Sequence, residues 1–324
     1  MRPIAYYRSL STLVAFVAVF VLFASLSPGH HFIALGNIEI LLVMISEFCI
    51  VLLGVGLLMI SGEFDLSIPS SLLFCSFIFL KLHNIGLNLF LSAFIVFGVG
   101  LLIGLVNGLI TTKGRIPSFI TTLGTMMLWA GITSIFAPPG AERAIDASVL
   151  PLFRDIFIGE VLGVPIQFLW FIVFTLISGI LLHFHRFGCW IYITGDNREA
   201  ARAMGINTDL VKIICFMLVG FLCAFSAIMQ SIRAHTFFVG IGSGWNLMAI
   251  AGSVIGGTFL SGGVGSVPGI ILGGLTIGII ENGLTMLGIS YFLAWAIYGS
   301  LILSYVLFYM YLGKKLAVMG RWRG

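Results

Sequence analysis

The chain has 324 residues, of which 60% are hydrophobic and only 9% are charged, and its mean hydropathy is +1.16. A soluble globular domain is about half apolar and about one quarter charged, so this composition excludes one. The formal net charge of +4 is carried by basic residues at the ends of apolar segments. That distribution indicates membrane topology rather than a nucleic-acid-binding face.

The apolar segments predict an all-α polytopic membrane protein with about ten transmembrane helices, because one span needs about 20 apolar residues. The predicted spans are 10–26, 38–60, 69–85, 88–112, 118–137, 164–184, 210–231, 245–260, 268–287 and 291–311. The first run lacks a small-residue cleavage motif and is therefore predicted to be a retained span. Little sequence remains between the spans, so residues 1–324 are expected to form a single transmembrane domain.

Basic residues predict the orientation of the spans, because they collect on the cytosolic side of membranes. Both termini are basic, which places both in the cytosol and agrees with an even number of crossings. A longer loop at about 138–163 carries the acids and is predicted to be external. The basic residues assigned to cytosolic span ends are Arg2, Arg8, Lys113, Arg115, Arg186, Arg198, Arg202, Lys212, Lys314, Lys315, Arg321 and Arg323.

Two regions are predicted to interrupt the spans as broken helices. The polar run near 61–69 contains Glu63 and Asp65 and ends at Pro69, and the run near 252–268 is rich in glycine, including Gly256 and Gly257. Irregular backbone at membrane depth is tolerated only where protein buries it or a wet cavity borders it. Paired interruptions of this kind often lie beside a substrate route.

A weak internal repeat links the two interruptions. Each one ends in Leu-Ser, and an Asn-Gly-Leu triplet follows each, beginning at Asn107 in the first copy and Asn282 in the second. Two weakly similar halves are typical of transporters.

Carboxylates inside apolar spans are costly, by about 2.5–3.5 kcal/mol each, and normally face a bundle interior or water. Glu47 lies in the second span and Glu281 in the ninth. Either they accept hydrogen bonds from a polar solute, or they satisfy backbone groups freed by the interruptions. For Asp65, which precedes Ser67 and Pro69, we favour a cap on the following helix. The residues predicted to line the pathway or its gate are Glu47, Glu63, Asp65, Asn107, Gly256, Gly257, Glu281 and Asn282.

The segment 185–209 is a charged, small-residue stretch between two spans and is predicted to be cytosolic. Asp196 and Glu199 have the spacing of a capping box, and Gly205 can end the helix that follows. The resulting helix has about two turns and is too short to persist alone in water. It is therefore expected to dock onto a partner.

The motifs of an enzyme are missing from the sequence: it has no phosphate-binding Gly-Lys-Ser/Thr loop, no paired metal ligands and no nucleophile elbow. The five cysteines show no paired spacing, and we interpret them as small core residues. The tryptophans, including Trp245, are predicted to lie at the membrane interfaces rather than to stack on a sugar.

The chain resembles the permease subunits of ribose-type ABC importers, a family of bacterial sugar permeases. The resemblance is carried by four stretches in family order: Gly62-Glu63-Phe64-Asp65-Leu66-Ser67, the run from Pro117 to Thr125, the segment from Arg186 to Asn207, and Ile255-Gly256-Gly257-Thr258 with the glycines that follow it. Pro69 stands where the family usually has glycine, and Trp245-Asn246-Leu247 replaces an acidic stretch.

This resemblance implies that the segment 185–209 is the loop that couples the permease to an ATPase. The coupling residues it implies are Gly195, Asn197, Glu199, Ala200, Ala201, Arg202, Gly205 and Ile206. It also implies cytosolic ATPase subunits that hold ATP and Mg, a second permease subunit (identical or paralogous), and a periplasmic or lipid-anchored solute-binding protein. The chain itself is expected to bind no cofactor and no nucleic acid, and to carry a monosaccharide or a related polar solute across the bacterial inner membrane.

An ion-coupled secondary transporter that uses Glu47 and Glu281 as proton sites remains an alternative. It would take up its solute without ATP. The identity of the solute is not encoded in any motif of the chain.

Overall fold

The computed structural model describes residues 2–137 and 151–289, together with the single positions 293, 296, 297, 299 and 300. In these residues the fold is a bundle of α-helices with one short hairpin, whose two strands have two residues each. The helices are α1 Arg2–Leu26, α2 Leu35–Ile60, α3 Ile68–Asn84, α4 Leu89–Lys113, α5 Ser118–Phe136, α6 Pro151–Ile158, α7 Ile166–His183, α8 Arg186–Asp196, α9 Arg198–Ala203, α10 Thr208–Ala234, α11 Trp245–Ile255 and α12 Val267–Met286. A 3₁₀ helix covers Pro28–Ile33, and strands β1 Glu160–Val161 and β2 Val164–Pro165 pair antiparallel.

The predicted all-α polytopic class is confirmed. Six helices, α2, α4, α5, α7, α10 and α12, are long and apolar enough to span a membrane, and α3, α11 and residues 12–26 of α1 are shorter apolar helices. These nine correspond to nine of the ten predicted spans. The tenth, 291–311, lies almost wholly outside the described residues.

The centre of the bundle is formed by α2 and α10. In each of these helices 78% of an apolar stretch of 18 residues is buried, whereas in α5 and α7 only 22% of such a stretch is buried. Glycines let α4 lie directly against α10. A Cβ atom at Gly104 would lie 2.2 Å from the Phe216 carbonyl oxygen, and one at Gly220 would lie 2.0 Å from that of Gly100. Small residues drive helix association in membranes because they allow close van der Waals packing of backbones.

Both predicted interruptions are present. The first separates α2 from α3 at residues 61–67, and the second separates α11 from α12 at residues 256–266. The predicted span 245–260 is too long, because the helix ends at Ile255 and Gly257 adopts a φ of +87° that L side chains rarely take.

The structure corrects two predicted loops. The first part of segment 185–209 is helix α8, whose Phe187 and Ile191 are buried in the core, so that only α9 and its flanks form a loop-like protrusion. Residues 151–163 of the predicted external loop form α6 and the first strand and turn of the hairpin, with Phe153 and Phe157 buried. Residues 138–150 of that loop lie outside the described residues.

Candidate functional site

The first interruption is held by side chains from other helices. Ser118 and Thr122, in the first turns of α5, accept hydrogen bonds from the Phe64 and Leu66 backbone N–H groups at 3.1 and 3.0 Å. Asn246 of α11 donates to the Leu66 carbonyl at 3.2 Å. The non-helical backbone therefore finds partners inside the protein, as a membrane-embedded chain requires.

Asp65 forms the predicted Asx turn, but the N-cap residue of α3 is Ser67, and Asp65 holds that residue rather than the N–H groups of the helix. Its Oδ1 atom accepts hydrogen bonds from the backbone N–H and the hydroxyl of Ser67, at 2.7 and 2.6 Å. Asn107 of α4 donates to Ser67 Oγ at 2.8 Å and to Asp65 Oδ2 at 3.3 Å. Asp65 and Asn107 are both buried, so two of the predicted pathway residues lie in a closed polar network.

The adjacent residues Thr121 and Thr122 provide a matched test of this network. Thr122→Val removes the acceptor for the Leu66 N–H, and a buried donor left unsatisfied costs about 1–3 kcal/mol. The Thr121 hydroxyl is buried without a hydrogen-bond partner among the described residues, so Thr121→Val is expected to be neutral or stabilising. Thermal unfolding in mild detergent should show a lower midpoint for T122V only. Equal midpoints for the two variants would contradict the assigned role of Thr122.

Two contacts from neighbouring helices hold the second interruption. The Tyr192 hydroxyl of α8 donates to the Gly265 carbonyl at 2.7 Å, and burial raises the pKa of this phenol to about 12, so it stays a donor at neutral pH. His183 Nε2 accepts from the Val267 N–H at 3.4 Å. Gly256 packs on α12, where a Cβ atom would lie 2.3 Å from the Gly269 carbonyl oxygen.

The two interruptions and the end of α8 meet in one contact, which we call the glycine junction (Gly62, Gly195, Gly262, Gly263 and the Ile60 carbonyl). The Gly263 N–H donates to the Ile60 carbonyl at 2.8 Å. A Cβ atom at Gly195 would lie 1.9 Å from that carbonyl oxygen and 2.6 Å from the Gly263 nitrogen. A Cβ atom at Gly262 would lie 2.7 Å from the Gly62 Cα. Main-chain atoms of three segments are therefore in direct contact, and Gly195 belongs to this junction rather than to an exposed surface.

An ion pair lies beside the junction. Glu63 of the first interruption accepts a hydrogen bond from the Lys212 ammonium of α10, and both side chains are largely buried, with 14% and 8% of their side-chain area exposed. Lys212 lies near the start of α10, where a span end was predicted, and its ammonium turns inward to the carboxylate. The pair ties the first interruption to the central helix.

At the opposite end of the bundle, α2, α10, α11 and α12 enclose a cavity of about 480 Å³, the outer cavity. Its wall combines polar and aromatic side chains at a size typical of small-molecule sites. The predicted pathway residues Glu47, Glu281 and Asn282 contribute to it. The other polar and aromatic contributors include Asn37, Phe48, Gln230, Arg233, Phe238, Ser243, Trp245 and Thr285.

The three predicted residues of the outer cavity have different environments. Glu47 is 1% exposed and forms a bidentate pair with Arg233, at 2.8 and 3.0 Å. Asn282 and Asn37 exchange amide hydrogen bonds at 2.9 and 3.0 Å, which joins α12 to α2. Among the described residues, no side chain hydrogen-bonds to the Glu281 carboxylate. The Glu281 carboxylate thus lines the outer cavity without a side-chain partner in the described part of the chain.

Helix α9 is capped one residue later than predicted. Asp196 is the last residue of α8, and the Asn197 side chain accepts from the Glu199 and Ala200 N–H groups at 3.0 Å each. Gly205 ends the helix with a φ of +79°, as predicted. Asn207 then caps α10 by accepting from the Leu210 N–H.

The exposed residues of α9 and its C-cap are Glu199, Ala200, Arg202, Ala203 and Met204. Ala200, Ala203 and Met204 are exposed, whereas Ala201 is fully buried and Ile206 is half-buried. Arg202 turns away from this surface to Asp209 of α10, at 3.0 Å, and Arg198 does the same at 2.7 Å. Ala200 and Glu199 therefore share a surface with Met204, while Arg202 fastens α9 to the bundle.

Sequence reasoning missed Arg233 and Met204, and it assigned Trp245 to an interface although Trp245 lines the outer cavity. A carboxylate inside a span is costly unless it is compensated, and this cost could have indicated that Glu47 has a cationic partner such as Arg233. Within the described residues no group of three His, Cys, Asp or Glu side chains has the arrangement of a metal site.

A bundle of apolar helices, with a polar cavity at one end and two broken helices at the other, defines a polytopic membrane permease. The chain matches the family described as branched-chain amino acid transport system / permease component over residues 37–312. It belongs to this family of transport permease subunits, whose members are not catalytic enzymes.

The curated relatives cover most of the chain. The ribose import permease protein RbsC of Escherichia coli K12 is 32% identical over 88% of both chains, and that of Haemophilus influenzae is 33% identical over 93% of this chain and 94% of its own. The xylose/arabinose import permease protein XylH of Sulfolobus acidocaldarius is 35% identical over 78% and 72%. No solved structure matches the chain.

Proposed function

We propose that the chain is the permease subunit of an ATP-driven ABC importer of the bacterial inner membrane and forms the pathway for a monosaccharide or a related polar solute. The named relatives import ribose or xylose and arabinose, and they support this class of solute. Cytosolic ATPase subunits would bind ATP and Mg, a second permease subunit would complete the pathway, and a solute-binding protein would deliver the solute.

One observation carries the proposal: the glycine junction joins the end of α8, next to α9, to both interruptions through main-chain contact. A displacement of α9 by a partner is transmitted to both interruptions because main-chain atoms in van der Waals contact cannot yield as flexible side chains do. Movement at one surface of the protein then changes the packing of two broken helices inside it.

The outer cavity supports a polar solute. Glu281 offers an acceptor for hydroxyl groups, and Trp245 and Phe48 provide apolar faces. The Glu47–Arg233 pair fixes the wall between α2 and α10. The two interruptions would move during transport. The residues that hold them in place below the cavity would be Glu63, Asp65, Asn107, Gly256 and Gly257.

The arrangement supports a topology with α8 and α9 in the cytosol and the outer cavity on the periplasmic side, and the basic residues near both ends of the sequence favour cytosolic termini. Asn37 lies in the first turn of α2 at the cavity, and Ile60 ends the helix at the glycine junction, so these two sites lie at opposite ends of a 26-residue helix. The exposed Asp155 and Glu160, near α6 and the hairpin, would then face the solute-binding protein.

The surface of Ala200, Ala203 and Met204 on α9 is the proposed contact with the ATPase. Ala200→Glu is expected to reduce ATP-driven uptake of labelled ribose or xylose at least tenfold in proteoliposomes that contain the complete transporter, because a charge replaces a small apolar contact. ATP hydrolysis should continue without the stimulation by loaded binding protein.

Two controls accompany this variant. Ala200→Ser keeps the small side chain, and Cys189→Glu adds the same charge at an exposed position of α8. Both should transport nearly as well as the unaltered protein. Full coupling in the Ala200→Glu variant would refute the docking surface, and uptake that follows a proton gradient without ATP would refute the importer itself.

A further inference from the structure

A second, strongly basic cleft lies between α9 and the connection from α4 to α5. It has a volume of about 570 Å³, and Lys113, Arg115, Arg198 and Arg202 contribute four cationic side chains. The cleft also contains Asp209 and Glu63, but Glu63 is already neutralised by Lys212. Four cations therefore share one carboxylate.

The single carboxylate leaves part of this charge unpaired. Asp209 accepts from Arg198 and Arg202 at 2.7 and 3.0 Å, while Lys113 lies 3.8 Å away. Arg115 takes part in none of the ion pairs among the described residues. The Arg198 Nε–H is buried and has no hydrogen-bond partner in the part of the chain that the structure describes. The cleft thus holds an excess of positive charge and an unused donor of the kind that binds phosphate oxygens.

The backbone at Arg115 points to the same use. Arg115 has a φ of +54°, although Gly114 beside it has an ordinary φ of −70°. A left-handed conformation at a non-glycine residue costs free energy and is worth a functional explanation. Here it accompanies a turn that brings an arginine to the cleft at the end of α4.

The surroundings of the cleft distinguish a lipid from a soluble anion. Ile116 lines the cleft and is 39% exposed, and Phe119 and Ile120, on the first turn of α5, are 54% and 55% exposed. These apolar side chains continue from the cleft along α5, a helix in which only 22% of an apolar stretch of 18 residues is buried. A ligand with a phosphate in the cleft can therefore lay an acyl chain along α5.

We propose that this cleft binds the phosphate headgroup of an anionic phospholipid, whose acyl chain lies against Ile116, Phe119 and Ile120. The phosphate oxygens accept hydrogen bonds from Arg115 and from the free donor of Arg198. Arginine matches phosphate well because its planar guanidinium presents two parallel N–H groups. Basic pockets between the ends of transmembrane helices recognise lipid headgroups by the same electrostatics.

The test compares two single-charge variants. The purified protein is titrated in neutral detergent with phosphatidylglycerol or with phosphatidylcholine, and bound lipid is counted by native mass spectrometry. Phosphatidylglycerol should bind at least tenfold more tightly than phosphatidylcholine. Arg115→Gln should lower the phosphatidylglycerol affinity about fivefold, as expected for one charge near a lipid surface. Arg186→Gln, which removes an exposed arginine of α8 outside the cleft, should change it less than twofold.

Three results would overturn the proposal. Equal affinity for the two lipids would show that the cleft does not select an anionic headgroup. An equal loss in Arg115→Gln and Arg186→Gln would show general surface attraction instead of a cleft. Displacement of the lipid by millimolar inorganic phosphate, with unchanged binding after Ile120→Ser, would assign the cleft to a soluble anion. An unchanged unfolding midpoint of Arg115→Gln in phosphatidylcholine confirms that the variant is folded.

Discussion

Gly195→Ala is expected to abolish transport and to lower the free energy of unfolding by about 1–3 kcal/mol or more, as overpacking of a filled site does. The added Cβ atom would lie 1.9 Å from the Ile60 carbonyl oxygen and 2.6 Å from the Gly263 nitrogen. Both neighbours are main-chain atoms, so the clash can be relieved only if α8 moves away from the two interruptions. The hydrogen bond from Gly263 to Ile60 lies in the same contact and would be weakened as well.

Gly179→Ala is the matched control. Gly179 lies within α7, and an added Cβ atom would meet nothing within 4 Å. Uptake in proteoliposomes and the unfolding midpoint should be unchanged in this variant and reduced in Gly195→Ala. Normal coupled transport by Gly195→Ala would show that the glycine junction transmits no motion.

Arg233→Gln is expected to destabilise the protein by about 3–5 kcal/mol, because removal of one partner leaves the other as an uncompensated buried charge. Glu47 is 1% exposed, whereas the Arg233 side chain is 41% exposed. The opposite change, Glu47→Gln, should cost clearly less, since water can solvate the arginine that remains. The double variant should recover part of the loss of Arg233→Gln, because both charges are then absent.

Unfolding midpoints of the three variants in mild detergent form a double-mutant cycle that isolates the pair. Arg154→Gln on α6 removes an exposed positive charge and serves as the control. Equal costs for Glu47→Gln and Arg233→Gln would contradict the unequal burial on which the prediction depends. A double variant as unstable as the sum of both single variants would show that the pair contributes nothing beyond its separate side chains.

Hydropathy predicted the spans well because a membrane span is a local property: each segment must be apolar over about 20 residues whatever its neighbours do. The interruptions at 61–67 and 256–266 were also visible, since Pro69 and the clustered glycines disfavour continuous helix. The Asx turn from Asp65 to Ser67 could be predicted from the spacing of these two residues ahead of Pro69. These features depend on residues that are close together in the chain.

The contacts of the candidate sites are not local, and for this reason they were missed or misplaced. Arg233 pairs with Glu47 across 186 positions, and no periodicity links the two. Helix α8 mixes Arg186 with Trp190 and Ile191, so its composition resembles a cytosolic loop although half of it packs into the bundle. Gly195 looks like a flexible loop residue in the sequence, and only its neighbours in space show that it must lack a side chain.

The glycine junction separates the mechanical link from the surfaces it serves. Gly195, Gly263 and the Ile60 carbonyl meet through main-chain atoms, so their contact places no demand on the side chains of the outer cavity or of α9. In the proposed importer, substitutions at Trp245 or Glu281 would alter the preferred solute and substitutions at Met204 would alter the matched ATPase, while the main-chain contact between the two sites keeps its geometry. In this arrangement the residues at either end can change independently, as long as the four glycines of the junction are retained.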